Sequence, residues 1–169
     1  IGSYLSHAYL DHNIGVQRGA GTGYDLRSPL DVARALNDRL LADIGNEEYF
    51  TMVYGTADLD SGRVRLVQAG HPHPLLIRAN GDLEYIGRGG TPIGLVSEVV
   101  HDQLELDMGP GDRLLLYSDG FTEAQLKDGE MLGQDGLLRL ARQSLPAVSA
   151  REFMNDLYWR LTSEMQEGA

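Results

Sequence analysis

An α+β fold is predicted for this chain by the order of its local patterns. Apolar residues at helical spacing occupy the beginning and the end. Between them lies a series of short β-branched, aromatic and aliphatic runs separated by turn signals. Strands gathered into one stretch, with no helix alternating between them, favour antiparallel pairing over a parallel sheet. The 169 residues are expected to form a single domain, long enough to bury a sizeable core.

Each element follows in turn. The opening IGSYLSHAYLDH places Ile1, Leu5, Ala8, Tyr9 and His12 at helical spacing. NIGVQRGAGTGYDL is glycine-rich and aperiodic, and reads as a mobile loop. In SPLDVARALNDRLLADIG, Ser28 suits an N-cap, Pro29 the first helical position and Asp31 the first turn. Leu30, Val32, Ala33, Leu36, Leu40 and Ile44 make its apolar face, and Gly45 stops it. Strands are predicted in YFTMVYGTADL, RVRLVQAG, PLLIRA, DLEYIG, VVHDQLELD and RLLLYS. Asn80-Gly81 is a hairpin signal, because both residues tolerate positive φ. GLLRLARQSL and SAREFMNDLYWRLTSEMQ return to helical spacing. The second of these carries a capping-box pattern at Ser149 and Glu152, and Phe153, Leu157, Leu161 and Met165 on one face. No internal repeat and no second domain are read.

Composition excludes several functions. With 25 acidic and 14 basic residues the net charge is −11, which argues against nucleic acid or an anionic membrane as the main partner. A phosphorylated ligand would need cations to approach such a surface. There is no cysteine, hence no disulfide framework and no thiolate metal site, which fits a cytoplasmic protein. No apolar run approaches the ~20 residues of a membrane span, and no secretory leader is read.

Few residues are candidates for chemistry. In LLLYSDGFTEA an apolar run meets Ser118, Asp119 and Gly120, so a strand is expected to end at Asp119. A carboxylate at a strand tip is a fitting support for a hard cation, and Gly120 would allow a sharp turn and a close approach. Asp-Gly after a strand is also a common turn, and on the dipeptide alone the turn reading wins. His71 and His73 in AGHPHPLLI are compatible with a zinc pair, but Pro72 and Pro74 favour a structural corner. His7 and Asp11 read as an exposed ion pair. The glycines at 19, 21 and 23, and at 87, 89, 90 and 94, lack the context of a phosphate loop.

Taken in order, FTMVYGTADLDSGRVRLVQAGHPHPLLIRANG, GGTPIGL, LELDMGPGDRLLLYSDGFTEA and DGEMLGQDGLLRL resemble the metal-dependent protein serine/threonine phosphatases (PPM type). The similarity is greatest to the bacterial branch that includes the sporulation stage II E and sigma-factor-regulating phosphatases. The resemblance implies an α-β-β-α sandwich of two antiparallel sheets flanked by helices. It implies that Asp119 is a metal ligand, with Ser118, Gly120 and Glu123 in support. It further implies Mn2+ or Mg2+ in a two-metal site of the intact domain, and a phosphorylated regulatory protein, such as an anti-sigma-factor antagonist, as substrate in bacterial signal transduction. An upstream receiver or other sensory domain is common in that branch. The family's early Gly-Asp-x-x-Asp and Gly-His-Gly segments and its final Asp-Asp-x-Thr/Ser strand are not found here, so residues 1–169 are expected to be the interior of one such domain. A rival reading is a non-catalytic domain of the same fold that binds a partner protein.

Overall fold

In the computed structural model, which describes residues 13–21, 23–42, 48–98 and 101–165, the chain divides into two units. One comprises the described residues up to His71 together with Gly87–Met108; the other comprises Pro72–Ile86 and those from Gly109 onward. The helix expected over residues 1–12, with His7 and Asp11, lies outside the described residues, as do Ile44 and Gly45.

The first unit begins with a departure from expectation. The segment read as a mobile loop holds two strands, β1 (Val16–Arg18) and β2 (Tyr24–Leu26), paired antiparallel from Val16 opposite Leu26 to Arg18 opposite Tyr24. Three residues are too few for a period-2 pattern to register, and β2 is exposed throughout. The pairing is therefore carried by backbone hydrogen bonds that leave no hydrophobic trace in the sequence.

Helix α1 (Pro29–Ala42) starts where its capping residues predict. The Ser28 hydroxyl accepts from Asp31 N at 3.1 Å and donates to Asp31 Oδ2 at 2.7 Å. Its buried stripe of Val32, Ala33 and Leu36 packs with Val67, Ala69 and Ile93, and Met52 and Tyr54 close the cluster. Met52, Tyr54, Val67 and Ala69 come from a sheet ordered β3 (Met52–Ala57), β4 (Arg63–Ala69), β7 (Gln103–Asp107), antiparallel throughout, while Ile93 lies in the connector GGTPIGL and bridges to Phe50. Tyr54 stands opposite Val67, and Met52 opposite Ala69, so alternate residues of both strands form the face that α1 covers.

The second unit repeats the plan with a sheet ordered β6 (Leu83–Tyr85), β5 (Leu75–Ile77), β8 (Arg113–Leu115), labelled in chain order. The hairpin expected at Asn80-Gly81 is present, with Ile77 opposite Leu83. Only Gly81 uses positive φ, at 93°, so this is a longer loop rather than a two-residue primed turn. Asp112 fastens it to the turn before β8: its carboxylate accepts from Ala79 N at 2.8 Å, Gly109 N at 3.0 Å and Arg78 Nη1 at 2.9 Å. Leu75, Ile77 and Leu115 bury against α3 (Gly133–Gln143) through Leu137, Leu140 and Ala141, and against α4 (Ala150–Glu164) through Phe153, Leu157 and Leu161. The capping box read at Ser149 and Glu152 is complete.

Two antiparallel three-stranded sheets, each with its helices, are the α+β class that the order of sequence patterns predicts.

Candidate functional site

Asp119 is not at the tip of a strand. Pairing of β8 ends at Leu115, opposite Leu75, where its neighbour β5 begins. Leu116, Tyr117 and Ser118 lie beyond the ladder, and Asp119 opens a short helix, α2 (Asp119–Thr122), with extended Ser118 as its N-cap. The apolar run reads as one strand because hydrophobicity does not mark where the partner strand begins. Tyr117, 9% exposed, meets the Phe121 ring edge-on, with centroids 6.5 Å apart. That contact fixes α2 to the buried residue that follows β8.

Ser118, Asp119, Gly120 and Glu123 are all exposed. Asp119 Oδ1 accepts from Gly120 N at 2.9 Å, while its carbonyl accepts from the Thr122 hydroxyl at 3.0 Å and from Glu123 N at 2.9 Å. The Ser118 side chain makes no capping bond. Gly120 does not make the sharp turn expected of it. Its φ is not positive, and a Cβ placed there would have Ser118 Oγ, 3.8 Å away, as its nearest neighbour. Any need for glycine here comes from what approaches the chain from outside. Beside this segment, Leu116, Phe121, Met154 and Tyr158 line a largely apolar groove of about 350 Å3.

As a metal centre the arrangement is incomplete. Hard divalent cations take about six oxygen ligands, and Asp119 supplies one carboxylate. Among the described residues no three His, Cys, Asp or Glu side chains gather where they could hold an ion. Asp119 thus fits a single ligand position, and the described residues do not complete the rest. His71 lies in the corner its prolines predict, its Nδ1 3.3 Å from the Thr51 hydroxyl, after Gly70 at φ 69°.

Burial shapes the surroundings. The Tyr117 hydroxyl is buried close to that of Tyr85, and burial pushes its ionisation up. Burial does the same to Tyr85, whose hydroxyl donates to Gln134 O at 2.7 Å. Neither phenol is a candidate base.

Two residues that sequence reasoning passed over hold the glycine-rich connector in the first unit. Buried Gln68 accepts from Gly89 N at 2.9 Å and donates to His71 O at 2.5 Å. Buried Asn37 grips Gly94 of GGTPIGL and Val96 just beyond it. The available signal was a carboxamide inside an otherwise apolar stripe, one on β4 and one on α1. Among the described residues no helix is long and apolar enough to cross a membrane.

Comparison with known proteins adds an independent line. A family model described as stage II sporulation protein E matches residues 12–169. The chain is 24% identical over 131 residues to phosphoserine phosphatase RsbU of Bacillus subtilis (strain 168), covering 77% of this chain and 38% of that protein. It is 31% identical over 100 residues to phosphoserine phosphatase RsbP of the same organism, covering 57% of this chain and 25% of that protein. The chain therefore spans no more than 38% of the length of these relatives. Among solved structures, the RsbU and RsbW domains of Rv1364c from Mycobacterium tuberculosis superpose with a TM-score of 0.64 at 23% identity, covering 80% of this chain and 36% of that one. At that identity the shared property is the fold.

Proposed function

Because the chain belongs to the stage II sporulation protein E family, we propose that it is part of a metal-dependent phosphoprotein phosphatase domain acting on phosphoserine or phosphothreonine in bacterial signalling. The observation that carries this is the presentation of Asp119: an exposed carboxylate on the first residue of α2, fixed by the Tyr117 and Phe121 ring contact. In this reading Asp119 is a ligand to Mn2+ or Mg2+, while Ser118 and Glu123 orient that ligand or the water around it, and Gly120 leaves room beside it. The bound ions would supply a water of lowered pKa and screen the phosphate. The work left to these residues is positioning, since the −11 chain repels a phosphate dianion without cations. Residues 1–169 are read as belonging to one such domain, cytoplasmic, with a phosphorylated regulatory protein as substrate. The names of the two relatives, both phosphoserine phosphatases, support the choice of substrate class.

A second reading, a phosphatase-fold domain that binds a partner without catalysis, is favoured by one observation: Asp119 has no gathered co-ligands among the described residues. Phosphate release from a phosphoserine peptide, titrated with Mn2+, separates the two. It should be run on the 169-residue chain and on any longer natural chain that carries it. The enzyme reading expects metal-dependent release that Asp119→Asn abolishes. Metal-independent or absent release from every natural chain would leave the binding reading.

A further inference from the structure

The surface is acidic overall, with 14 basic residues against 25 acidic, yet one cleft in the first unit concentrates arginines. Arg27, Arg63 and Arg65 line an open cavity of about 680 Å3, with the hairpin residue Gln17, the start of α1 and the β3–β4 turn as the other walls. Among the described residues nothing accepts from the buried Nε–H of Arg27. That atom is enclosed by the chain, so contact with a ligand falls to the rest of the guanidinium, which lines the cavity.

The other two arginines are only loosely engaged. They alternate along β4 and stand opposite Asp107 and Glu105 of β7. Arg63 lies 3.8 Å from Asp107, which is 88% exposed, and Arg65 lies 3.1 Å from a half-exposed Glu105. Exposed pairs of this kind are weak and yield readily to a better acceptor. The two carboxylates in the lining are committed to local donors. Asp31 Oδ2 accepts from the Ser28 hydroxyl at 2.7 Å; Asp58 Oδ1 accepts from Asp60 N at 3.0 Å and Ser61 N at 3.3 Å. The end of α1 is itself closed by Ser28, so the positive character of the cleft comes from the arginines. Thr56 and Ser61 add hydroxyl groups, that of Ser61 shared with Asp58.

We propose that this cleft binds a phosphate monoester through the three guanidinium groups that line it. One guanidinium is enough to satisfy a carboxylate, whereas three guanidinium groups with two hydroxyls match the larger acceptor set of a phosphate dianion. The volume leaves room for the group to which the phosphate is attached. The cleft uses none of residues 118–123, so it stands apart from the phosphatase reading.

The test uses the 15N-labelled 169-residue chain in EDTA, so that no metal-dependent hydrolysis intrudes. Inorganic phosphate, a phosphoserine peptide, its unphosphorylated twin and sodium chloride at matched ionic strength are titrated while the Arg Nε–H resonances are followed. The expected result is a saturable shift of the Arg27 Nε–H with the phosphorylated probes alone. Arg27→Lys, which keeps the charge but removes the planar fork of donors, should weaken binding tenfold or more, and Arg65→Gln should weaken it severalfold. Peptide binding at least tenfold tighter than inorganic phosphate identifies a phosphorylated protein side chain as the source; equal binding identifies a small free phosphate. No saturable shift, a shift that chloride reproduces, or affinities unchanged in both variants would overturn the proposal.

Discussion

Gly94 N donates to Asn37 Oδ1 at 2.8 Å, and the same carboxamide donates through Nδ2 to Val96 O at 3.1 Å. Asn37 is fully buried on the stripe of α1 that otherwise carries Val32, Ala33 and Leu36. A leucine would suit the hydrophobic pattern better, so the polar group is there for the turn it holds. Asn37→Leu leaves a partly buried N–H and a partly buried carbonyl unmet, at up to about 1–3 kcal/mol each. Urea unfolding should show a loss of about 2–4 kcal/mol. A loss below about 0.5 kcal/mol, the usual range for unconstrained surface changes, would show that the turn does not depend on α1.

Two glycines make opposite predictions. Gly90 has φ 75°, and a Cβ there would lie 2.4 Å from Gln68 O. Gly90→Ala should cost at least the ~1–2 kcal/mol of a left-handed alanine, visible as a lower melting temperature. Gly120 has neither positive φ nor a close neighbour. Gly120→Ala should leave stability within about 0.5 kcal/mol, or raise it slightly through helix propensity. A fall in phosphate release without a fall in stability would then report on a ligand approaching α2.

How much of this could be read beforehand follows from which forces leave a trace in sequence. The strands β3 and β4 and the face of α4 were legible because burial imposes a period, as in Phe153, Leu157 and Leu161. The β1–β2 hairpin was not, because exposed three-residue strands bury almost nothing and pair through backbone groups common to every residue. Asp119 was recognised as a candidate but set on the wrong element. The end of β8 is decided by where β5 begins, a fact of pairing rather than of local pattern. Gln68 and Asn37 were missed for the complementary reason: their partners, His71 aside, are backbone groups at 89, 94 and 96, which the sequence does not place near them.

Acid should loosen the second unit through Asp112. Its side chain is 9% exposed. Hydrogen bonds from Gly109 N, Ala79 N and Arg78 hold its carboxyl below the usual carboxylate value of 3.8. A depressed folded-state pKa contributes stability that is fully present above the unfolded value and is lost as pH falls through the folded one. The melting temperature should therefore drop below about pH 3.8, as the carboxylate takes up its proton. Asp112→Asn should lower the melting temperature at pH 7 and flatten that acid-side dependence. An unchanged acid profile in the variant would show that other carboxylates set it.

Asp119→Asn separates a metal ligand from a turn residue. The bond that Asp119 Oδ1 accepts from Gly120 N, at 2.9 Å, can equally be accepted by an amide oxygen, and the side chain is exposed. Without divalent ions the variant should melt within about 0.5 kcal/mol of the parent, as surface substitutions generally do. Asp119→Ala, which removes the acceptor, should cost about 1 kcal/mol, the usual worth of such a local bond. With Mn2+ the expectation divides. If the carboxylate binds the ion, the parent gains melting temperature as Mn2+ is added, since a ligand that binds only the folded state stabilises it. Asparagine, neutral and a poorer donor to a hard cation, should then lose most of that gain, and metal-dependent phosphoserine hydrolysis should fall by about 100-fold or more, because the charge that holds the catalytic ion is gone. If Asp119 serves only the turn, asparagine should behave as the parent does in both measurements, and alanine should lose stability but keep its activity per folded molecule. A parent and an asparagine variant with the same Mn2+ response and the same turnover would remove Asp119 from the metal site, and would leave the α+β fold and the family membership untouched.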